Sequence, residues 1–330
     1  MRFKATLAPE QLSLLYSLVV PISKLTSRGA NGGANGNQNG CMLFLDQECM
    51  RLSLHGKGTN DCAGIACFVE LKTSGGIFME HRIESIAENN AILMECDIVQ
   101  LRMALQSIQQ EKYQSKKRNH QSMMSNLTDA SYSQSLEERT TFLKLAKRNN
   151  TPCLCVEAGG RSGVEIQHAI PVRIARASDM KHYLPPCVPT PSVQLEMSSS
   201  ERTPLRTIMD RLRLTTPSVL VTGNPSGQLI LELPSDNGDG ISIRTVIDGL
   251  IPRMEACDPE KSGPCTVKVD SKKLALCLQW QQQAALVSTA FLCLVENEAL
   301  VLHAMLNPSD AGFFTYYIPV HFLGDEDEDD

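Results

Sequence analysis

The stretch Ile83–Cys96, IESIAENNAILMEC, has apolar residues on both sides of a polar step at Glu88-Asn89-Asn90. DIVQLRMALQSIQQ, Asp97–Gln110, follows without a break. The first part reads as a hairpin, two strands joined by the ENN turn. The second reads as an amphipathic helix: Asp97 suits the N-cap, and Ile98, Leu101, Leu105 and Ile108 recur on one face. Whatever the fold is, it must set a strand and an amphipathic helix back to back.

Working outward, the N-terminal half opens with a strand, MRFKATL, and a helix from about Pro9 to Leu25 with proline near its start, where a missing N–H costs least. Pro21 interrupts that helix and either kinks it or ends it early. Strands follow at CMLFLD, CMRLSLHG, GIACFVEL, IFMEHRI and AILMEC, then the helix from Asp97, then strands TFLKLAK, PCLCVEA and EIQHAIPVRI. The C-terminal half repeats the scheme. SVQLEM leads to helix ERTPLRTIMDRLRL, then SVLVTG, GQLILEL and CTVKVD, then helix SKKLALCLQWQQQ, and finally AFLCLVEN, ALVLHAML and FFTYYIPVHF. Each half has two helices separated by several antiparallel strands, an α+β pattern.

The chain has 330 residues, 42% of them hydrophobic, enough for two domains with cores of their own. No apolar run approaches the ~20 residues a membrane span needs, and MRFKATLAPEQ lacks the apolar core of a secretory signal, so an intracellular protein is expected. Its twelve cysteines are then expected to be reduced. Cys153 and Cys155, one residue apart in a strand, read as small buried residues rather than a metal or redox pair. The formal charge of −6 is accounted for by the six acidic residues Asp325–Asp330, an acidic tail, which leaves the rest of the chain formally neutral and able to carry a basic face. Two polar interruptions read as a flexible Gly/Asn loop at 27–40 and an exposed insertion at 111–141, whose KKR is at most a weak nuclear import signal. Four prolines between Pro185 and Pro191 mark an extended connector. The expected organisation is a first domain at 1–184, a connector at 185–192, a second domain at 193–324 and the tail at 325–330.

Enzyme motifs are missing: no phosphate-binding G-x-x-x-x-G-K-[ST], no H-E-x-x-H, no G-x-S-x-G and no paired zinc spacing. LHGKGTND and EAGGRSGVE read as hairpin turns. DNGDG at Asp236–Gly240 lacks the closing glutamate of a calcium loop. His168 and His182 read as surface or satisfied histidines, and Trp280 as core. No cofactor and no metal are expected.

The element order is that of sliding DNA clamps, and particular stretches narrow the likeness. AENNAILMECDIVQLRMALQSIQ (Ala87–Gln109), HAIPVRIARASDMKHYLPPCVPTPSVQLEM (His168–Met197), LVTGNPSGQLILEL (Leu220–Leu233), VDSKKLALCLQWQQ (Val269–Gln282) and YYIPV (Tyr316–Val320) resemble the Hus-type subunit of the heterotrimeric nine-one-one checkpoint clamp. The resemblance covers most of the chain and fails at the Asn/Gly loop, the insertion and the tail. It implies a two-domain clamp fold with antiparallel sheets outside and two helices per domain lining a ring. It also implies two other clamp subunits as partners, sequence-independent contact with double-stranded DNA, an ATP-driven loader, recruited repair and checkpoint proteins, and a place in the nucleus, with the cytoplasm also open. A self-associating replication clamp and a scaffold that does not encircle DNA are the alternatives, with a hydrolase the weakest.

Helical geometry names the candidate DNA-facing residues. At ~100° per residue, Leu205, Ile208, Met209 and Leu212 gather toward the sheet, Arg202, Arg206 and Arg213 gather on an adjoining stripe, and Arg211 points elsewhere. Ser13, Ser17, Lys24 and Arg28 share a face of the first helix. Arg102 with Gln106 and Gln109 flanks the apolar seam of the second, and Lys272 with Gln279 that of the last. Such cations suit loose phosphate contact, although exposed helix faces carry Lys and Arg in any case. For subunit pairing the expected edge strands are TFLKLAKR and PCLCVEA in the first half and those of LVTGNPSGQLILEL in the second.

Overall fold

β1 (Arg2–Leu7) alternates outward and inward residues, burying Phe3, Ala5 and Leu7, and leads into α1 (Pro9–Lys24). The computed structural model describes residues 1–26, 40–55, 64–87, 90–110, 140–158, 166–233, 243–260, 263–280, 286–308 and 310–322. α1 continues through the buried Pro21 to Lys24, so proline does not end it. Next come β2 (Gly40–Leu45), β3 (Cys49–His55), β4 (Ala66–Lys72), β5 (Glu80–Glu84), β6 (Ile92–Asp97), α2 (98–110), β7 (Thr141–Arg148), β8 (Thr151–Ala158) and β9 (Ile166–Ala175). After a 3-10 segment at Ala177–Tyr183 the order runs β10 (Val193–Met197), α3 (Ser199–Thr215), β11 (Ser218–Asn224), β12 (Gln228–Glu232), β13 (Arg244–Ile247), β14 (Ile251–Pro252), β15 (Cys265–Asp270), α4 (Ser271–Cys277), β16 (Val287–Val295), β17 (Ala299–Leu306) and β18 (Gly312–His321). The expected loop at 27–40 and insertion at 111–141 lie almost wholly outside the described residues, as do DNGDG and the acidic tail.

The chain divides into two compact units. One comprises Met1–Ser23, Gly33–Arg51 and Leu71–Tyr183, and the other Lys24–Gly32, Leu52–Glu70 and Leu184–Asp330. In the first, antiparallel pairing gives the order β5-β1-β7-β8-β9, and β9 continues to β6 and β2. In the second it gives β14-β10-β16-β17-β18, and β18 continues to β15, β11, β12 and β13. Reading β1 as β10, β2 as β11 and so on to β9 as β18, the pairings of one unit recur in the other. The repeat expected from element order is therefore a repeat of hydrogen-bond connectivity.

Two expectations need correction. The opening stretch is not a hairpin, since β5 pairs with β1 whereas β6 pairs with β2 and β9. β5 is an exposed edge strand and β6 an interior one, and Glu88 and Asn89 of the expected turn lie outside the described residues. Apolar text on both sides of a turn marks two strands without making them partners. The supposed edges also lie inside their sheets: β7 sits between β1 and β8, β8 between β7 and β9, β11 between β12 and β15, and β12 between β11 and β13.

Helices bury the faces their apolar spacing predicts. α2 turns Ile98, Leu101, Ala104, Leu105 and Ile108 inward, and α3 buries Leu205, Met209 and Leu212, each of the Leu, Ile and Met side chains contributing roughly 1.5–3 kcal/mol. α4 is shorter than expected, ending at Cys277 with one 3-10 turn to Trp280. Cys153 and Cys155 are buried in β8 among Leu154 and Val156, where they pack as small apolar groups. Among the described residues no helix is long and apolar enough to cross a membrane.

Candidate nucleic-acid interface

The geometry of α3 begins at its cap. Ser198 accepts a hydrogen bond from the Ser200 N–H at 3.2 Å, and its own N–H donates to Glu201 Oε2 at 2.9 Å, a reciprocal capping box. Glu201 also accepts from the Ser198 and Ser200 hydroxyls, and these bonds hold its carboxyl below the usual range. The rotational setting fixed there turns Ser200, Thr203, Thr207, Arg211 and Leu214 to solvent.

Arg202 does not share that face. It is 3% exposed, its Nε donates to Ser198 O at 3.0 Å, and its guanidinium lies over the Trp280 ring at 5.9 Å. Burial away from water pushes its pKa down, with Glu201 opposing. Its Nη1 and the Trp280 Nε1 are both buried without a hydrogen-bond partner. The apolar seam of α3 is wider than four residues suggest, because Trp280, itself packed edge-on against Phe314 at 5.1 Å, extends it past Leu205. Arg202 is thus a core cation rather than a DNA-facing one. Arg206 and Arg213 sit at the margin, approaching Asp210 at 3.5 and 3.3 Å, so one carboxylate offsets part of their charge.

Arg211, expected to point away from the functional stripe, is exposed in the middle of the solvent face. At ~100° per residue it lies about 180° from Arg202. The signal was present as Ser200, Thr203, Thr207 and Arg211, polar residues at spacings of three and four, a face better suited to phosphate contact than the margin.

The other helices contribute less. On α1, Ser13 and Lys24 are exposed and Ser17 is half-buried, while Arg28 lies outside the described residues. On α2, Arg102 is half-buried, with its Nε buried and without a hydrogen-bond partner. The outward residues there are Gln100, Met103 and Gln110, with Gln106 and Gln109 half-buried. On α4, Asp270 caps the N-terminus by accepting from the Lys272 and Lys273 N–H groups at 2.8 and 3.0 Å, which leaves the Lys272 side chain exposed. These separated cations can neutralise phosphates and cannot read base edges. Among the described residues no group of three His, Cys, Asp or Glu could hold a metal. His182 is exposed and His168 half-buried, its Nε2 without a hydrogen-bond partner.

A sequence profile of Hus1-like proteins matches residues 1–321. The chain belongs to the Hus1-like protein family. No curated protein matches its sequence. The fold of this Hus1-like chain is similar to that of PCNA from Thermococcus kodakaraensis, with a TM-score of 0.61 at 14% identity over 97% of this chain and 100% of the other. It is similar also to proliferating cellular nuclear antigen from Entamoeba histolytica, with a TM-score of 0.63 at 10% identity over 97% and 99%. At such identities the likeness establishes a sliding-clamp fold. The α+β clamp architecture and the Hus-type resemblance expected from sequence are therefore borne out.

Proposed function

We propose that this Hus1-like chain is a non-catalytic subunit of a heterotrimeric clamp that encircles double-stranded DNA and acts in damage checkpoint signalling and repair in the nucleus. The observation that carries the ring is a pair of open strand edges. Among the described residues β9 pairs along Ile166–Pro171 only with β8 and along Val172–Ala175 only with β6, and β13 pairs only with β12. By the repeat, β9 corresponds to β18 and β13 to β4, and within the second unit β4 pairs with β18, Phe68 meeting Tyr317 edge-on at 5.8 Å. The pairing made inside the chain is thus available between chains, β9 of one subunit with the β13 equivalent of the next. A head-to-tail contact of this kind closes rings.

Family membership supports unlike clamp subunits as the neighbours, with a loader and recruited repair proteins as further partners. DNA contact falls to Lys24, Arg211, Arg213 and Lys272, with Arg206 at the margin, and is independent of sequence. Co-purification of the endogenous protein tests the proposal. Recovery with two different clamp subunits in equal amounts is expected, whereas a homotrimer would place the chain with self-associating processivity clamps.

A further inference from the structure

The chain contains four Thr-Pro dipeptides, at Thr151, Thr190, Thr203 and Thr216, and no Ser-Pro. The fold treats the four differently. Thr151 begins β8 and is held in the ladder opposite Arg148. Thr203 lies inside α3, where its carbonyl accepts the Thr207 hydroxyl at 3.1 Å. Thr216 is buried at the end of α3, its hydroxyl donating to Ser218 O at 2.8 Å. Thr190 alone is exposed on backbone outside helix and strand, and among the described residues no backbone hydrogen bond involves 185–190.

Proline at 191 biases Thr190 to the extended region, the shape a kinase cleft accepts, and the prolines at 185, 186 and 189 keep the approach extended as well. We propose that Thr190 is a phosphorylation site for a proline-directed protein kinase. The Thr190 Oγ1 attacks the γ-phosphorus of a nucleoside triphosphate and an O–P bond forms. The bond to the β-phosphate oxygen breaks, the hydroxyl proton passes to the kinase base, and a nucleoside diphosphate leaves.

The position gives the phosphate a consequence. Two residues upstream, Val188 packs on the cluster of Val295, Ala299 and Val301, as Cys293 and Tyr317 also do. On the other side Pro191 O accepts the Asp258 N–H at 3.0 Å and the Ser192 N–H donates to Leu294 O at 2.9 Å. A dianion between these anchors lies close to the segment that carries Asp258, Glu255 and Glu260, so like-charge repulsion lifts Val188 from the cluster on which Cys293 also packs and opens that cluster to solvent.

The test incubates the full chain with a proline-directed kinase and magnesium ATP and maps phosphate by peptide mass spectrometry. Label at Thr190 about tenfold or more above the other three threonines, lost in Thr190→Ala and kept in Thr190→Ser, is expected. Equal label on all four overturns the assignment. So does none at Thr190 under conditions that label a synthetic 184–196 peptide. Peptide-resolved alkylation of Cys293 should rise severalfold on phosphorylation, and an unchanged rate would overturn the proposed release of Val188.

Discussion

Replacing Arg202 by glutamate should destabilise the second unit rather than merely weaken DNA contact. The side chain is 3% exposed and gives up its bond to Ser198 O and its place over Trp280. The incoming carboxylate would sit buried, without a cation partner and next to Glu201. Breaking a buried charged arrangement in this way costs about 3–5 kcal/mol. Arg202→Met keeps the aliphatic packing and removes the unpartnered Nη1, so it should stay within about 1 kcal/mol of wild type. Arg211→Glu, on the open face, should shift stability by no more than about 0.5 kcal/mol. Trp280 is the only tryptophan and lies in the second unit, so its fluorescence during urea unfolding reports that unit. With a slope of ~1–3 kcal/mol per molar urea, a loss of about 3–5 kcal/mol in Arg202→Glu should lower the midpoint by on the order of 1–5 M at unchanged slope. A midpoint for Arg202→Glu equal to that of Arg211→Glu would refute the burial of Arg202 and restore it to the open face.

Gly227→Ala should destabilise by more than about 2 kcal/mol, because φ is +85° and a Cβ would stand 2.2 Å from Leu250 O; Gly249→Ala, at the same φ with nothing within 4 Å, should cost only ~1 kcal/mol, and equal losses in thermal melts would contradict the clash. Ser198→Ala should cost about 1 kcal/mol through the lost cap. Because Glu201 is held below its ordinary 4.5, its contribution is complete above that pH and disappears as pH falls through the lower folded value, so in acid titration of stability the gap between variant and wild type should narrow to the part carried by the Ser200 N–H bond. His303, half-buried between Phe291 and Phe313, is held below its ordinary 6.5 by loss of solvent, so its neutral form favours the fold. Stability should fall as pH drops below 6.5 and level off below the folded value, and His303→Gln should flatten that stretch of the pH profile.

Much of the architecture was legible because strands and helices write different periods. RFKATL alternates, and the seam Ile98, Leu101, Leu105, Ile108 recurs every three to four residues, so neither element needed its partners to be recognised. Partnership was less legible. AILMEC is apolar because β6 lies between β2 and β9, both distant in sequence, and nothing local distinguishes that from a hairpin with β5. Edge assignment failed for the same reason, since β7 and β8 look no more interior than β9. For α3 the helical spacing sets Arg202, Arg206 and Arg213 on one stripe beside the seam, yet Arg202 is buried and the other two lie at its margin. Whether a stripe next to the seam is covered depends on what packs beside it, and here Trp280, some eighty residues on, decides. The exposure of Arg211 is not legible locally, because the width of the buried face is set by Trp280.

The most direct test of the central claim is retention on DNA of the assembled complex containing this chain, compared between a nicked circle and the same DNA cut once. An encircling clamp with loose phosphate contacts should remain on the circle through a high-salt wash and slide off when the DNA is linearised. Equal retention on both forms, or loss from both at the same salt, would contradict a ring around the duplex and leave a surface-bound scaffold in its place.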